Sequence, residues 1–439
     1  MISKPPIFTR RRTILFGGAL TTVLGGFYLQ KGIKKMMKPN ITTMHEELAM
    51  LMDIGLRRAK LKNAPLIISN ATFSANLEAL LCENTQFNEC DFTGEIRINV
   101  LNFTEVRFVN CNIHESSING GRWQNVIFDG CNGIGEFGIA GGEGSSDVVF
   151  HKCTLTGSPP HEDRHREDGY GAAGTFGSAS FVDCDISYMN LIGPTGLSIK
   201  DSRLNQVDAT TQRKNGYLAL DNVDIKEYLD LTAGIFSAIR MTKVRFEYLD
   251  MTNVKTDTLT IEGSQGHFFG KALTAKHVEI SKCTFGANGD PKDISERENC
   301  GFSIIYAQID SLSIDDVKFI GTNGSLFLGG AINIMYKKDQ PKYGGPIDYT
   351  TYGKISIKNT SLKGAFFSYL KSKEMKIDRC NIGNADFVHC QVGNMEITGS
   401  EFSGKTDFSG AVIDRLTEKD NIRSQDAKIF PDARKQITS

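Results

Sequence analysis

The sequence is short of proline and carries almost no net charge. Its 439 residues include 11 Pro against 44 Gly, with 40% hydrophobic and 23% charged residues and a formal net charge of −1. These proportions exclude a disordered chain and a polytopic membrane protein. No Gly-X-Y repeat occurs either, which excludes a collagen-like chain.

The motifs of common catalytic and metal sites are also missing. The ten cysteines include no CxxC pair, which argues against a zinc site. No nucleophile elbow, Walker loop or kinase signature occurs. The sequence therefore predicts no catalytic residue, no metal ligand and no cofactor, and a protein that is not an enzyme.

The near-zero net charge conceals a strongly uneven distribution. Residues 1–65 carry 12 basic and 3 acidic side chains, a net charge of +9, which leaves −10 on the remainder. A basic leader suits an anionic membrane surface, and an acidic body repels nucleic acid. We therefore expect a membrane contact and no nucleic-acid partner.

The basic region at residues 1–12 precedes an uncharged stretch at residues 13–30, and further lysines follow that stretch. Eighteen uncharged residues approach the minimum length of a membrane-spanning helix. We predict an uncleaved transmembrane anchor here. A cleaved signal peptide and a buried soluble helix remain as alternatives, and Arg11-Arg12 resembles a twin-arginine export signal.

A single N-terminal span most often leaves its N-terminus in the cytoplasm. We therefore expect a single-pass protein of the bacterial inner membrane with a periplasmic body. Gly18, Thr22 and Gly26 lie on one face of the predicted helix, where such small residues let two helices pack closely. A homodimer is therefore one of the alternatives. Within the linker at 31–65, residues 44–61 have an amphipathic pattern and are predicted to cap the body or to lie on the membrane.

Large apolar residues recur at every fifth position in two separate stretches. Each is preceded, two places earlier, by a smaller residue such as Cys111 or Ala385, and the residue between them is often polar. A period of five fits neither a helix nor a flat strand, but it fits a chain that turns a corner after each short extended segment. The two stretches are Phe103, Phe108, Ile113, Ile118, Trp123 and Phe128, and Ile377, Ile382, Phe387, Val392, Ile397 and Phe402.

Segments such as Cys111-Asn112-Ile113 and Ala385-Asp386-Phe387 resemble the repeat of the pentapeptide-repeat family. The resemblance implies an all-β fold, a right-handed quadrilateral parallel β-helix with four five-residue faces per coil, over residues 66–415. Charged residues after Asp414 are candidates for a C-terminal cap, within a charged tail at 416–439. The β-helix is expected to carry loop insertions at 132–147, 156–178, 286–301 and 335–353.

Eight of the ten cysteines fall in the repeat frame at the smaller inward position, where they are expected to act as small apolar residues. Stacked parallel positions give poor disulfide geometry. So many unbridged thiols favour a reducing compartment, against the periplasmic expectation. Cys82 and Cys300 lie outside the frame.

Two insertions supply the candidate partner-binding residues. The first is a charged loop exposed to solvent. Its two histidines are four residues apart, so a metal site is an alternative, and its acidic residues could instead act as an acid or a base. The second combines tyrosine with lysine, which is suitable chemistry for contact with a protein. The candidates are His161, Glu162, Asp163, Arg164 and His165 in the first insertion, and Tyr336, Lys337, Lys338, Lys342 and Tyr343 in the second.

These features favour a membrane-tethered, non-enzymatic protein that binds another protein. One specific form is an immunity-type inhibitor of an antibacterial toxin that attacks membranes. The family resemblance also leaves open a DNA mimic that protects gyrase, and a secreted effector acting at a host membrane. An enzyme that uses the loop at 156–178 is the remaining hypothesis.

Overall fold

The structure is a computed structural model in which the chain divides into two compact units, Met1–Ala209 and Thr210–Ser439. The predicted anchor at 13–30 and the amphipathic stretch at 44–61 lie outside the described residues. None of the described segments is helical, so none of them is a helix long and apolar enough to cross a membrane. The described residues are 65–73, 77–92, 97–114, 117–134, 139–141, 145–156, 172–174, 178–192, 195–210, 216–286, 301–320, 326–329 and 349–430.

Short strands make up both units. The first unit contains β1 (Leu66–Ser69), β2 (Thr72–Phe73), β3 (Leu77–Asn88), β4 (Asp91–Phe92), β5 (Arg97–Val109), β6 (Asn112–His114), β7 (Ser117–Gly120), β8 (Arg122–Asp129), β9 (Asn132–Ile134), β10 (Ile139–Gly141), β11 (Ser146–His151), β12 (Thr154–Thr156), β13 (Ala172–Gly174), β14 (Ser178–Val182), β15 (Asp185–Ile192), β16 (Gly196–Lys200) and β17 (Arg203–Thr210).

The second unit contains β18 (Tyr217–Asp221), β19 (Asp224–Asp230), β20 (Ile235–Thr242), β21 (Arg245–Asp250), β22 (Lys255–Glu262), β23 (Gln265–Lys271), β24 (Thr274–Ser281), β25 (Thr284–Phe285), β26 (Phe302–Ile305), β27 (Gln308–Asp315), β28 (Lys318–Phe319), β29 (Leu326–Gly329), β30 (Thr350–Lys358), β31 (Leu370–Asp378), β32 (Asn381–Gly383), β33 (Gln391–Thr398), β34 (Glu401–Ser403), β35 (Lys405–Asp407), β36 (Val412–Lys419), β37 (Ile422–Arg423) and β38 (Lys428–Phe430).

Each unit is a parallel β-solenoid. In the first unit Val106 is in parallel register with Val126, and Val126 is in parallel register with Val148. In the second unit Met375 and Met395 pair in the same way. Residues one turn apart therefore lie side by side on neighbouring strands, and the predicted parallel β-solenoid is confirmed.

The five-residue period corresponds to the inward positions of the chain. All twelve large apolar residues of the two periodic stretches are buried, with relative exposures of 0–2%. The polar residues just before them, such as Arg107 and Asp386, are exposed or half-buried. The alternation of buried and exposed residues is that of a strand, and a bend after each short segment closes the turn.

Five phenylalanines stack through the core of the first unit. Consecutive ring centroids are 4.5–4.8 Å apart and the interplanar angles are 1–7°. The spacing matches the separation of parallel strands, so each buried ring stacks on the ring of the next turn. The stack consists of Phe87, Phe108, Phe128, Phe150 and Phe181.

A row of buried cysteines occupies the corner after this stack. Each Sγ atom lies 3.4–3.5 Å from a carbonyl oxygen of the preceding turn. The nine described cysteines, Cys82 included, are free thiols and buried. The row consists of Cys90, Cys111, Cys131, Cys153 and Cys184.

The residue before each of these cysteines turns the corner with a positive φ. Asn110 has a φ of 51°, Gly130 of 64°, Lys152 of 52° and Asp183 of 56°. The left-handed region costs an ordinary L-residue about 1–2 kcal/mol, and Gly, Asn and Asp tolerate it best. Asn110, Gly130 and Asp183 suit this corner, whereas Lys152 and Glu89, which has a φ of 49°, adopt it at that cost.

Insertions leave the register of the second unit unchanged. Ile280 pairs with Ile314, and Ile314 pairs with Ile357, although a long stretch of chain separates the members of each pair. Ile357 then pairs with Ile377, which follows it after a single short turn. The added residues therefore leave the solenoid and return to it at the same position of the turn.

The last described turn places charged residues at inward positions. Glu418 is in register with the buried Ile397, and Arg423 with the buried Phe402. Arg423 donates a hydrogen bond to Glu418 at 3.2 Å, and its guanidinium lies 6.0 Å from the Phe402 ring centroid. A charged final turn lets this end of the unit face water and discourages pairing with another strand.

Candidate functional site

All ten candidate partner-binding residues from the sequence lie outside the described residues. His161 to His165 fall between β12 and β13, and Tyr336 to Tyr343 fall between β29 and β30. The structure therefore gives no geometry for either group. It does show where the two stretches join the solenoid. In the second unit, that position borders an outer surface that carries several aromatic side chains.

This surface, here called the aromatic face, is the outer side of the strands whose inward residues include Leu229, Leu249, Phe268, Phe302 and Leu326. The stretch 287–300 lies between the preceding strand β25 and the face's own strand β26. The stretch 330–348 directly follows β29, another strand of the face. Two of the long insertions of the second unit thus adjoin the same face.

One outward position of the aromatic face can be followed through successive turns. It begins and ends with two aspartates, and aromatic residues predominate in the middle. In register order the residues are Asp230, Asp250, Phe269, Ser303, Phe327, Phe366, Asp386 and Asp407.

Aromatic side chains form a strip along this face. The Tyr228 and Tyr248 ring centroids are 4.9 Å apart, and Tyr248 lies 6.4 Å from Phe269. Farther along, Phe327 and Phe366 are 5.7 Å apart. Tyr228 and Phe366 are 44% and 36% exposed. These five residues are called the aromatic strip, and outward-facing aromatic rings of this kind are typical of surfaces that a partner covers.

The aspartates at both ends of the strip stabilise the turn that follows them. Asp230 accepts a hydrogen bond from the backbone N–H of Thr232, and Asp250 from that of Thr252, each at 2.8 Å. Asp407 accepts one from the backbone N–H of Ser409 at 2.9 Å. The Ser409 hydroxyl, followed by its backbone N–H and by Lys405, lowers the pKa of Asp407. Hydrogen bonds from the backbone thus hold all three carboxylates in place, and the charged form of Asp407 is stabilised.

A second group of rings borders the strip at the next corner. The Tyr349 and Tyr369 centroids are 6.3 Å apart, and Tyr369 lies 5.4 Å from the His389 ring. Tyr369 and His389 both have positive φ, at 55° and 53°. Gln391 donates a hydrogen bond to the Tyr349 hydroxyl at 3.0 Å. Tyr349 is also the first described residue after the stretch 330–348, so that stretch returns to the solenoid beside these rings.

A different outer surface of the second unit carries mainly ion pairs. We call it the charged face. It is formed by the outward residues in the C-terminal halves of β22, β24, β27, β30, β31 and β33. Lys354 lies 3.4 Å from Glu374, and Lys376 lies 2.8 Å from Glu396. Exposed pairs of this kind contribute little to stability. Their alternating signs leave no acidic stripe along this part of the surface.

Metal-ligating side chains do not cluster in the part of the chain that the structure describes: no group of three or more His, Cys, Asp or Glu residues could hold an ion there. His277 Nδ1 lies 2.9 Å from the Ser311 hydroxyl on the exposed charged face. A serine and a histidine in the open lack a pocket to position a substrate.

Sequence reasoning missed the aromatic strip. One part had a local signal, because Glu-Tyr-Leu-Asp occurs at 227–230 and again at 247–250, one turn later. The other part had none. Phe327 and Phe366 are far apart in the sequence, and only the register of the structure makes them neighbours.

Comparison with known proteins adds little to this description. No protein-family model matches the chain, and no curated protein matches it. The solved structure of HetL, a pentapeptide repeat protein involved in heterocyst differentiation regulation from the cyanobacterium Nostoc sp. strain PCC 7120, aligns at 8% identity. The alignment covers 84% of this chain and 92% of that chain, with a TM-score of 0.09. The fold assignment therefore rests on the strand register of this chain itself.

Proposed function

We propose that this chain is a non-enzymatic, membrane-tethered protein that binds another protein through the aromatic face of its second unit. We also propose that its solenoid is of the pentapeptide-repeat type, a right-handed quadrilateral β-helix. The burial of every fifth residue over two stretches supports this assignment. The small buried residue two places earlier, Cys380 or Ala385 for example, supports it as well.

The aromatic strip is the observation that carries the binding function. The core of a solenoid needs its inward residues, and the fold does not require a ring at an outward position. Tyr228 and Phe366 nevertheless expose more than a third of their surface. Aromatic residues are the side chains most enriched at the energetic centres of protein interfaces. A partner that covers the strip would remove this apolar surface from water.

The proposed tether is residues 13–30, and its support is the uncharged sequence between two basic flanks. A tether of this kind at the bacterial inner membrane, with a periplasmic body, would hold the aromatic face where an incoming protein meets the membrane. An immunity-type inhibitor of a membrane-attacking toxin is the specific form of this proposal. Rescue of cells from one such toxin by the full chain would support that form.

The charge pattern favours protein binding over mimicry of DNA. A DNA mimic requires regularly spaced carboxylates that replace phosphates. On the charged face, lysines neutralise the carboxylates at 2.8–3.4 Å, as in the Lys376–Glu396 and Lys354–Glu374 pairs. Lys282 and Glu262 form another such pair at 3.1 Å.

Site-specific photo-cross-linking in cells tests the proposal. The full-length chain would carry a photoreactive phenylalanine at position 366, on the aromatic strip, or at position 356, on the charged face. We expect a discrete cross-linked protein from position 366 and none from position 356. Tyr228→Ala and Phe327→Ala in the position-366 chain should reduce that adduct.

Equal cross-linking from both positions, or none from position 366, would contradict the proposal. Thermal unfolding of each variant checks that the solenoid remains intact. Ser356 is a suitable control because it too lies at an outward position, between the buried Ile355 and Ile357. Both positions therefore project outward, and they differ in the face that they present.

A further inference from the structure

The cysteine row of the first unit places a thiol at the same corner of five successive turns. The backbone N–H of the residue after one cysteine donates to the carbonyl oxygen of the cysteine one turn earlier, at 2.8–3.0 Å. Each cysteine is therefore the direct neighbour of the next across one turn. The row consists of Cys90, Cys111, Cys131, Cys153 and Cys184, and all five are at most 3% exposed.

The solenoid does not require cysteine at this corner. Ala71 occupies it in the turn before the row and Ser202 in the turn after it, and both are buried. At the equivalent corner of the second unit, Cys283 lies between Ser264 and Val317. Because Ala, Ser and Val also fill this corner, packing alone does not account for cysteine in five successive turns.

The sulfur atoms of the row repeat at a distance that suits a metal ion between them. Each Sγ lies 3.4–3.5 Å from a carbonyl oxygen of the preceding turn. Because this contact repeats in every turn, neighbouring sulfur atoms are separated by about the strand spacing, about 4.8 Å. A metal–thiolate bond is about 2.3 Å long, so two opposite bonds span about 4.6 Å. One ion thus fits between two neighbouring sulfur atoms with little movement of the chain.

The number of ligands and their charge select the kind of ion. Among the described residues no group of three or more ligating side chains could hold an ion, and Zn²⁺ takes four ligands. Hg²⁺ needs only two opposite thiolates. Two thiolates also neutralise a divalent ion, so the complex adds no net charge to a buried interior, where an unpaired charge is costly.

We infer that neighbouring cysteines of the row form two-coordinate sites for a thiophilic divalent cation of the Hg²⁺ type. Binding breaks two S–H bonds and forms two metal–sulfur bonds, and two protons pass to water without any change of oxidation state. Each sulfur serves one ion, so the five thiols hold at most two ions. These sites lie inside the first unit, and the inference does not depend on the binding function of the aromatic face.

Metal uptake by the folded full-length chain tests the inference. Reduced protein is incubated with Hg²⁺ or Zn²⁺ and an excess of a monothiol, which removes mercury from isolated cysteines. The incubation lasts for hours, because an ion reaches buried thiols only when the turns open locally. After gel filtration, elemental mass spectrometry counts the retained ions. We expect two Hg²⁺ and no Zn²⁺ per chain, and a higher Tm of the mercury-bound protein.

Two double variants remove the same number of thiols from the row but differ in which thiols remain adjacent. Cys111→Ala with Cys153→Ala leaves three thiols that are two turns apart, so it should retain neither ion. Cys90→Ala with Cys184→Ala leaves Cys111, Cys131 and Cys153 in adjacent turns, so it should retain one ion.

Thermal unfolding of the metal-free variants checks that the solenoid remains intact. Alanine is compatible with this corner, as the buried Ala71 shows. Cys111→Ser with Cys153→Ser repeats the test if the alanine variant does not fold, since the buried Ser202 occupies the same corner. The serine variant should also retain neither ion.

The control is Cys283→Ala with Cys380→Ala in the second unit, where neither cysteine has another cysteine at the same corner of an adjacent turn. This variant should retain both ions, and the loss of an ion from it would overturn the inference. Equal ion counts in the two double variants of the row would mean that the number of thiols decides binding and that their adjacency does not. Retention of Zn²⁺, or no retention of Hg²⁺ by the unaltered chain, would overturn the inference as well.

Discussion

The ring of Phe128 lies almost parallel to the ring of Phe108, with their centroids 4.7 Å apart and 3° between the planes. Phe150 stacks on the other side of Phe128 at 4.8 Å and 4°. The backbone sets this distance, because strands one turn apart in a parallel sheet are separated by about 4.8 Å. Each ring therefore contacts the turn before and the turn after, and the stack couples successive turns of the first unit.

Phe128→Ala removes a ring from the middle of this stack. We expect the free energy of unfolding to fall by about 3–5 kcal/mol, because the loss of buried area is combined with a cavity that flanking rings cannot fill. Urea unfolding followed by circular dichroism measures the change. Gln124→Ala, on an exposed position of the same strand, is the control and should change stability by less than about 0.5 kcal/mol. Similar losses in both variants would contradict the role of the stack.

The sequence allowed much of the core to be predicted. Each inward residue is dictated locally, because a corner after every short strand segment repeats the same environment once in every turn. That is why the period alone identified Phe103, Trp123 and Ile397 as buried. Cys82 escaped this reasoning. The sequence placed it outside the frame, because it does not take the smaller inward position of the other cysteines. It is nevertheless buried, in register with Phe103 and five residues before Phe87, so it occupies the large inward position of the frame.

The outer surface was far less predictable. Outward residues follow no period, and their neighbours belong to other turns, so insertions hide which residues meet. Phe269 and Phe327 are both in register with Ser303, but the stretches 287–300 and 321–325 separate them in the sequence. The repeated Glu-Tyr-Leu-Asp was visible, but only the register shows that its tyrosines meet across two turns.

Ala272→Gly should stabilise the second unit. Ala272 has a φ of 55°, a conformation that costs an alanine about 1–2 kcal/mol and a glycine almost nothing. After the entropy that glycine loses on folding, we expect a net gain of about 0.5–1 kcal/mol in urea unfolding.

Ala275→Gly is the matched control for that change. Ala275 lies in strand β24 of the same turn, is buried and is absent from the positive-φ positions. Here the substitution removes a buried methyl group and adds chain entropy, so stability should fall by about 1 kcal/mol. Changes of the same sign in both variants would show that the corner conformation does not determine the effect.

Tyr352→Phe should also stabilise the protein. Tyr352 is buried, and its hydroxyl has no hydrogen-bond partner in the described part of the chain. Burial raises the pKa of this hydroxyl well above its ordinary value. Removal of a buried, unsatisfied hydroxyl should raise the free energy of unfolding by about 1 kcal/mol.

Tyr349→Phe should have the opposite effect on stability. Tyr349 directly precedes β30, the strand that contains Tyr352. The Tyr349 hydroxyl accepts a hydrogen bond from Gln391 at 3.0 Å, so its removal should lower stability by about 0.5–1.5 kcal/mol. Thermal unfolding of both variants side by side measures the contrast. A loss of stability in Tyr352→Phe would mean that its hydroxyl has a partner.

The buried thiols should make the protein sensitive to alkali. Burial raises the pKa of Cys82 and of Cys390 to about 12, and that of Cys283 and Cys380 to about 11, from an ordinary value near 9. A raised pKa in the folded state means that these thiols ionise first in the unfolded chain. Their contribution to stability is therefore constant below about pH 9 and is lost as the pH rises from 9 to 12.

Cys390→Ala isolates one thiol from the other groups that titrate in alkali. The next turn carries Ala411, buried, at the equivalent corner, so alanine is compatible with this position. Urea unfolding at pH 8, 9.5 and 10.5 should show that the variant loses less stability than the unaltered chain. The difference should approach about 1.4 kcal/mol per pH unit, the effect of one proton. Parallel losses in the two proteins would mean that water reaches Cys390 in the folded state, and that this inward position of the second unit is not sealed from solvent.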